Sequence, residues 1–331
     1  MFFLSPKNAA TVFFTAFALT ALVPAHAANA RWTFDGEIHN NSLAVSANET
    51  TAVVSYSERP DVVVYDLKNN QVRGVLHGYV TPRNIVFSPS GDTFYISDSS
   101  LAVITKVDTA TLKTLSTIPT GVGAFGTAIS KDGKTLYLNN QATSTVTVFD
   151  LVKEQPMAII SGFSQPRQGI KLSPDGQKLY VTNFAGDKIS IVNNQTNKIE
   201  GEIAGFNKIR AISITANGKT LFAANSGSNT IAVVDLETKQ IVKTIAVGKD
   251  PYGAALTPNE AEVYSGNLGD NTLSVISLPT MRVTATITGF KQPRQAIVFA
   301  HDGKTAFVLN EDMSLSKVDL DTKKIVGSIN P

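Results

Sequence analysis

The chain has 331 residues, of which 43% are hydrophobic and 17% are charged, and its formal net charge at pH 7 is +2. These proportions are those of a soluble protein with enough apolar residues for a core, and the balanced charge excludes a histone-like blanket of positive charge. The chain contains no cysteine, which excludes disulfides, thiolate metal sites, covalent haem attachment and a lipidated N-terminal cysteine.

The first thirty residues have the pattern of a secretory signal peptide. Lys7 supplies a positive charge, residues 10–23 form an uncharged apolar run, and residues 25–27 and 28–30 each offer a small-x-small cleavage site. A transmembrane anchor is the alternative, but the run is shorter than the roughly 20 residues that a bilayer requires. We therefore predict a signal peptide over residues 1–27, or 1–30 with the second cleavage site. The mature chain is expected in the periplasm or secreted, without membrane insertion.

The strand at residues 32–38 resembles the fourth strand of the repeats that follow. Gly36-Glu37-Ile38 parallels Gly201-Glu202-Ile203 and Gly327-Ser328-Ile329. The chain thus carries one fourth-strand segment more than it has repeats. We predict that this N-terminal strand adds to the sheet of the last repeat, because pairing would protect an exposed sheet edge.

Seven tandem repeats fill the rest of the chain. Each contains a hairpin segment of the type seen at residues 173–176, and its first residue recurs every 42 or 43 residues. The seven starting positions are Ser46, Ser88, Ser130, Ser173, Thr215, Thr257 and Ala300. The repeats lie near residues 36–78, 79–121, 122–163, 164–206, 207–248, 249–290 and 291–331.

Each repeat predicts four short strands. In the fourth repeat these are residues 169–172, 178–182, 188–192 and 198–203, separated by turn residues. Pro174 fixes φ in the first turn, and Gly176 can adopt a positive φ. Four strands in a repeat of about 40–45 residues are the signature of a propeller blade. We therefore predict an all-β fold over residues 31–331, a single seven-bladed β-propeller of four-stranded antiparallel blades.

A recurring motif closes the second strand of these repeats. It reads Tyr180-Val181-Thr182-Asn183 in the fourth repeat, and its aromatic residue and final Asn or Asp persist in all repeats but the first. With the hairpin at residues 173–176 and the turn at residues 234–238, it resembles the YVTN β-propeller family, in particular its periplasmic YncE-like branch. The resemblance implies an exported seven-bladed propeller with a binding or scaffolding role, and DNA binding occurs within that branch. We expect the aromatic residue to pack between blades and the Asn to cap its turn.

Patterns typical of enzymes are weak. Residues 121–126 match GxGxxG, but a strand follows where a dinucleotide site needs a helix. His39, His77 and His301 occupy unrelated repeat positions, so we predict no metal site. We also predict no cofactor and no catalytic residue, since no GxSxG nucleophile elbow is present.

The positions where the inner strands begin are more informative, because they should face the propeller axis. Their aligned residues, here called the axial ring, are Asn41, Arg83, Phe125, Arg167, Arg210, Tyr252 and Arg294. The axial ring lacks the carboxylates that a calcium-dependent lactonase-like propeller would need. Four guanidinium groups around one axis favour a bound anion. In the alternative interpretation, these arginines only bond neighbouring carbonyls and shape the strand starts.

Further basic and aromatic residues adjoin the axial ring. Those in the connections between blades are Lys208, Lys249, Lys291, Phe163, Phe206 and Phe290. We therefore hypothesise a non-enzymatic, monomeric periplasmic binding or scaffold protein, which presents the axial ring to an anionic ligand or protein partner. One alternative is binding of single-stranded DNA or another polyanion at the same face. The other is a lyase- or lactonase-type enzyme, which would need carboxylates or histidines converging in the channel.

Overall fold

Runs of β-branched and aromatic residues, interrupted by turn residues about every ten positions, form the strands of the protein. The computed structural model describes residues 38–331, and these contain seven antiparallel sheets of four strands each. Within every sheet the strands pair in chain order, so each blade is a simple meander. This confirms the predicted seven-bladed β-propeller. In the described part of the chain, no helix is long and apolar enough to cross a membrane.

The strands of the first four blades, in chain order, are β1 (Asn41–Val45), β2 (Thr51–Tyr56), β3 (Val62–Asp66), β4 (Gln71–Leu76); β5 (Pro82–Phe87), β6 (Thr93–Asp98), β7 (Val103–Asp108), β8 (Thr114–Pro119); β9 (Ala124–Ile129), β10 (Thr135–Asn140), β11 (Thr145–Asp150), β12 (Gln155–Ile160); β13 (Pro166–Leu172), β14 (Lys178–Asn183), β15 (Lys188–Asn193) and β16 (Lys198–Ile203). Those of the last three are β17 (Ile209–Ile214), β18 (Thr220–Asn225), β19 (Thr230–Asp235), β20 (Gln240–Ala246); β21 (Ala255–Leu256), β22 (Glu262–Asn267), β23 (Thr272–Ser277), β24 (Arg282–Thr288); β25 (Ile297–Phe299), β26 (Thr305–Leu309), β27 (Leu315–Asp319) and β28 (Lys324–Ile329).

The predicted hairpin between the first and second strands forms in every blade. Its first residue donates its backbone N–H to the carbonyl five residues later, as Ser173 does to Lys178 at 2.8 Å. The same bond recurs from Ser46, Ser88, Ser130, Thr215, Thr257 and Ala300. Gly176 adopts φ 73°, the left-handed conformation that this turn requires.

The core lies between blades. Each of the seven interfaces between neighbouring blades holds its own cluster of buried hydrophobic residues. The motif aromatic lies in these clusters; Tyr180, for example, packs on the fifth blade with Ile212 and Leu221. This confirms the prediction that it packs between blades. A fully buried side chain of this kind stabilises the fold by roughly 1.5–3 kcal/mol, so each blade depends on both of its neighbours.

The first and seventh blades also pack together, which completes the ring. Leu43 and Tyr65 of the first blade share a buried cluster with Leu315 and Ile329 of the seventh. The Tyr65 hydroxyl donates a hydrogen bond to the carbonyl of Met313 at 2.7 Å. The predicted signal peptide and N-terminal closing strand fall on residues 1–38, and all of these but Ile38 lie outside the described residues.

The inner strands β1, β5, β9, β13, β17, β21 and β25 surround a central channel. Where several of them begin, the pairing register shifts, which marks a β-bulge. The bulge in β13 is the longest, because Pro166 pairs with Asn183 and the next partners are Ile170 and Val181. Bulges change the direction of side chains at a sheet edge. The fourth blade therefore starts its inner strand differently from the second and fifth.

Candidate functional site

The axial ring forms a stack of alternating arginine and aromatic side chains at one end of the channel. The Arg83 guanidinium carbon lies 4.5 Å from the centre of the Phe125 ring, and that of Arg294 lies 5.0 Å from the Tyr252 ring. Arg210 lies 4.3 Å from the same Tyr252 ring. The distances are within the range of cation–π attraction. The structure therefore brings the predicted arginines and aromatic residues together around the axis.

Two arginines of the axial ring are held by the chain itself. Arg83 is 0% exposed and donates from Nη1 to the carbonyl of Ile38 and to Asn40 Oδ1, both at 2.7 Å. Arg294 is 4% exposed and donates to the carbonyl of His39 at 3.3 Å. For these two, the interpretation that arginines bond neighbouring carbonyls is correct. Segment 38–40 lies against the axial ring at this point.

The two uncharged residues Asn41 and Phe125 are also buried, at 1% exposed each. Burial thus leaves Asn41, Phe125, Arg83 and Arg294 little accessible surface for a ligand. Their burial follows from the close packing of neighbouring inner strands and from segment 38–40. The ligand-binding prediction remains for Arg167, Arg210 and Tyr252, which are half-buried.

Arg167 and Arg210 share one aromatic neighbour, Phe184, which the sequence analysis missed. Their guanidinium carbons lie 3.7 Å and 4.7 Å from the centre of its ring. Phe184 follows the Asn that ends the motif, and the residues at this position are Ser57, Ser99, Gln141, Phe184, Ser226, Leu268 and Glu311. An alignment of that position would have singled out Phe184, because three of the other repeats have serine there.

This replacement of serine by phenylalanine leaves Arg167 without the usual partner. Arg83 Nε donates to Ser99 Oγ and Arg210 Nε to Ser226 Oγ, each at 3.0 Å. Arg167 Nε is buried and has no hydrogen-bond partner in the described residues. Its one side-chain bond there is a long 3.4 Å contact from Nη2 to Gln165 Oε1. A buried N–H donor without an acceptor carries a desolvation cost of about 1–3 kcal/mol.

Positive charge at this end of the channel is poorly compensated. Among residues 38–331, no carboxylate lies within ion-pair distance of Arg167 or Arg210. Burial, and then the charge of Arg210, lower the pKa of Arg167 to about 10, so that it stays protonated at neutral pH. Burial also lowers the pKa of Arg210, although Tyr252 and Asp250 partly oppose this effect. Arg167 is therefore the least compensated cation of the ring.

A small cavity of about 30 Å³ lies among Arg167, Arg210, Tyr252 and segment 38–40. A buried water needs about 10–15 Å³ of such volume. The small cavity of about 30 Å³ therefore accommodates two or three waters, or one small oxygen-bearing anionic group, and is too small for a base or sugar ring.

The neighbouring basic and aromatic residues differ in their surroundings. Lys208 and Lys249 are exposed, whereas Lys291 forms an ion pair with Asp312 at 2.5 Å. The three phenylalanines of the connections do not stack on the arginines but lie in the clusters between blades; they are Phe163, Phe206 and Phe290. The expectation that they flank the arginines is corrected, because their side chains turn into the core.

The three histidines of residues 38–331 lie apart, and each faces a different carboxylate. The pairs are His39 with Glu58 at 2.8 Å, His77 with Asp61 at 2.7 Å and His301 with Glu49 at 2.9 Å. Within residues 38–331, no three His, Cys, Asp or Glu residues are grouped as metal ligands would be.

A wide cavity of about 1050 Å³ occupies the other end of the channel, towards the hairpins. A layer of hydrogen-bonded amides lies between it and the small cavity, and one of these amides, Gln168, lines both. Asn40 Nδ2 donates to Gln168 Oε1 at 3.0 Å, and Gln168 Nε2 donates to Asn84 Oδ1. Asn84 Nδ2 in turn donates to Thr127 Oγ1 at 2.7 Å. Because Asn40 and Gln168 belong to the first and fourth blades, this amide layer crosses the channel.

Seven blades around an axis with distinct chemistry at its two ends define this protein as a seven-bladed β-propeller. Two family models match it: "Lactonase, 7-bladed beta-propeller" over residues 38–200 and "YNCE-like beta-propeller" over residues 208–328. Together the two matches support a YncE-like β-propeller family, as the motif residues predicted.

Solved structures share the fold. A chain of Kuenenia stuttgartiensis hydrazine synthase is 23% identical and superposes with a TM-score of 0.65, covering 72% of this chain and 77% of that chain. At this identity the likeness concerns the fold alone. Among curated proteins, none matches the chain.

Proposed function

We propose that the protein is an exported, non-enzymatic binding or scaffold propeller that holds an anionic group of a ligand or protein partner at Arg167 and Arg210. The observation that carries this proposal is the buried Arg167 Nε, which has no hydrogen-bond partner among residues 38–331 and lies in a pair of guanidinium groups without a carboxylate nearby in that range. The proposed location in the periplasm rests on the sequence pattern of residues 1–30.

An anionic group would provide both the hydrogen-bond acceptor and the negative charge that this site lacks among the described residues. A carboxylate or phosphate oxygen would accept the hydrogen bond from Arg167 Nε and would offset the charge of the two guanidinium groups. Phe184 and Tyr252 lie against these groups and fix their orientation. Exposed Lys208 and Lys249 on the connections would attract an acidic partner to the same face.

The geometry favours a single anionic group over stacked single-stranded DNA. Bases bind such proteins by stacking on free aromatic faces. Here Phe184 already has Arg167 and Arg210 against it, and Tyr252 has Arg210 and Arg294. The small cavity has room for only one small group. We therefore place the bulk of the partner outside the channel.

Inorganic phosphate is the probe that tests this proposal. We expect phosphate, added at constant ionic strength in place of chloride, to raise the melting temperature of the wild-type protein by several degrees. A ligand at a hundred times its dissociation constant stabilises the bound form by about 2.7 kcal/mol. Arg167→Gln should abolish the effect. Arg282→Gln is the matched control, because Arg282 is exposed on the outer strand β24.

Equal phosphate responses in the wild type, Arg167→Gln and Arg282→Gln would overturn the proposal. Binding of a single-stranded oligonucleotide that weakens steeply with salt and needs Arg167 would instead favour the nucleic-acid alternative. Calorimetric titration of the same three proteins gives the binding constant directly and separates binding from changes in basal stability.

A further inference from the structure

The hairpin between the first and second strands of the fifth blade carries an Asn-Gly pair. It spans residues 215–218, and Asn217 is the one asparagine of the chain that precedes a glycine. Asn217 is exposed at the tip of this hairpin. The third, fourth and seventh blades have Asp-Gly at the same two positions, as at Asp175 and Gly176. The fifth blade therefore has an asparagine where three other blades have an aspartate.

The hairpin polarises the side-chain amide of Asn217. Its Oδ1 accepts a hydrogen bond from Thr215 Oγ1 at 2.7 Å and another from the backbone N–H of Lys219 at 2.9 Å. Two donors on one carbonyl oxygen draw electrons from the carbon and stabilise the negative charge that develops on the oxygen during nucleophilic attack. The amide carbon Cγ of Asn217 is therefore held in an electrophilic state.

The backbone nitrogen of Gly218 is the nucleophile that can reach this carbon. An attack by the following nitrogen on Cγ closes a five-membered ring, and Gly218 has no side chain to obstruct it. In the closed hairpin, the Gly218 N–H donates to the carbonyl of Thr215 at 2.8 Å. The attack thus requires the turn to open. Turns at the protein surface are among the parts of a fold that open most readily.

The sixth blade provides a matched comparison within the same molecule. Asn259 occupies the same hairpin position, and its Oδ1 accepts from Thr257 Oγ1 at 2.8 Å and from the backbone N–H of Ala261 at 3.1 Å. The residue that follows is Glu260, whose φ of 54° is close to the 69° of Gly218. The two turns therefore differ mainly in the side chain that shields the backbone nitrogen.

An aspartate at position 217 would fit the hairpin without rearrangement. Asp175 Oδ1 accepts from Ser173 Oγ at 2.5 Å and from the backbone N–H of Gln177 at 3.0 Å, which are the same two bonds that Asn217 forms. Isoaspartate would instead add one atom to the main chain and displace the Gly218 N–H from its acceptor. The fold should therefore favour aspartate as the product.

We propose that Asn217 is a site of spontaneous modification, at which the fifth-blade hairpin converts its own asparagine into the aspartate of the other blades. The Gly218 nitrogen attacks Cγ of Asn217, an N–C bond forms, and ammonia leaves with the proton that the nitrogen loses. Water then adds to a carbonyl of the resulting cyclic imide, and the new N–C bond breaks to give aspartate. In sum, asparagine plus water gives aspartate plus ammonia, and the hairpin end gains one negative charge.

A time course of the folded protein at alkaline pH tests this proposal. Peptide mass spectrometry measures the conversion of amide to acid, and chromatography separates aspartate from isoaspartate peptides. We expect Asn217 to convert several-fold faster than Asn259, with a larger share of aspartate than in the same protein unfolded in urea. Gly218→Glu, which copies the sixth blade, should remove the rapid conversion, and Glu260→Gly should accelerate the conversion of Asn259. A Cβ at Gly218 would lie 3.5 Å from Pro174 Cδ, so the glutamate has room.

Three results would overturn this proposal. They are conversion of Asn217 no faster than that of Asn259 in the wild-type protein, rapid conversion of Asn217 that persists in Gly218→Glu, and an equal share of isoaspartate in the folded and unfolded protein. Circular dichroism melting shows whether each variant is folded, and the wild-type comparison depends on no variant. Asn217→Asp should keep the melting temperature and the phosphate response of the wild type, so the modification site and the anion site succeed or fail separately.

Discussion

At the scale of single residues, Asp98 forms a different set of hydrogen bonds from the Asn that occupies its position in most other blades. It ends the motif in the second blade, where most other blades have Asn. Asn183 accepts one backbone N–H, from Ser164, and donates from Nδ2 to Ser190 Oγ. Asp98 instead accepts four backbone N–H groups, two on each carboxylate oxygen, from Val80, Thr81, Ser100 and Leu101. The Asp98 carboxylate therefore caps its own turn through Ser100 and Leu101, as predicted, and binds the incoming connection between blades equally through Val80 and Thr81.

Asp98→Asn is therefore expected to destabilise the protein, although Asn is the common residue at this position. An amide has one acceptor oxygen, so its NH₂ group would face two buried N–H donors. Unpaired buried donors cost about 1–3 kcal/mol, which urea denaturation would measure. The reciprocal Asn183→Asp should also destabilise, because it loses the donor to Ser190 Oγ. Unchanged stability in Asp98→Asn would show that the turn rearranges around the amide.

At the scale of elements, the turn between the third and fourth strands uses the same device in most blades. The side chain that opens it accepts backbone N–H groups two or three residues later, as Asp235 accepts from Thr238 at 2.8 Å. Asn193 serves the fourth blade in the same way. Hydrogen bonds within the turn lower the pKa of the five turn aspartates, which are Asp66, Asp108, Asp150, Asp235 and Asp319.

These turns should contribute to acid sensitivity. A carboxyl whose pKa is lower in the folded state stabilises the fold above its unfolded pKa, and this stability is lost as the pH falls below about 4. Changing all five turn aspartates to Asn should retain the turns, as Asn193 does, and should shift the acid unfolding midpoint to lower pH. Asn193→Asp should make acid unfolding steeper. Fluorescence-monitored acid titration measures both; a midpoint that does not move would exclude these turns as its origin.

Strands and hairpins could be predicted from the sequence because each depends on a local pattern. Runs of β-branched residues recur in every repeat, and so does a short turn at the position of residues 173–176, although the turn residues themselves vary. The surroundings of the axial ring could not be predicted in this way. Whether an arginine is buried depends on segment 38–40, and the bulge in β13 sets the direction of Arg167. The first depends on contacts between distant parts of the chain, and the second on an irregular strand pairing that the repeat pattern does not indicate.

At the scale of the whole molecule, stability depends on closing the ring between the first and seventh blades. Tyr65→Phe keeps the aromatic packing there but removes the hydrogen bond to the Met313 carbonyl. Burial raises the pKa of Tyr65, so its hydroxyl remains a donor over the usual pH range. We expect Tyr65→Phe to lower the free energy of unfolding by about 1 kcal/mol. Urea denaturation measures this change, and the protein should still unfold in one cooperative transition.

Tyr180→Phe is the matched control for this prediction. Tyr180 is equally buried between two blades, but its hydroxyl has no hydrogen-bond partner within the described residues. Loss of the Tyr180 hydroxyl should therefore lower the free energy of unfolding less than loss of the Tyr65 hydroxyl does. An equal effect of both substitutions would mean that the hydroxyl of Tyr65 adds nothing to ring closure.

The amide layer makes one side chain part of the wall at both ends of the propeller axis. Gln168 lines the wide cavity as well as the small cavity beside Arg167. Its hydrogen bonds to Asn40 and Asn84 hold it in place across the axis. A substitution of Gln168 should therefore alter the surface that each end presents to a solute.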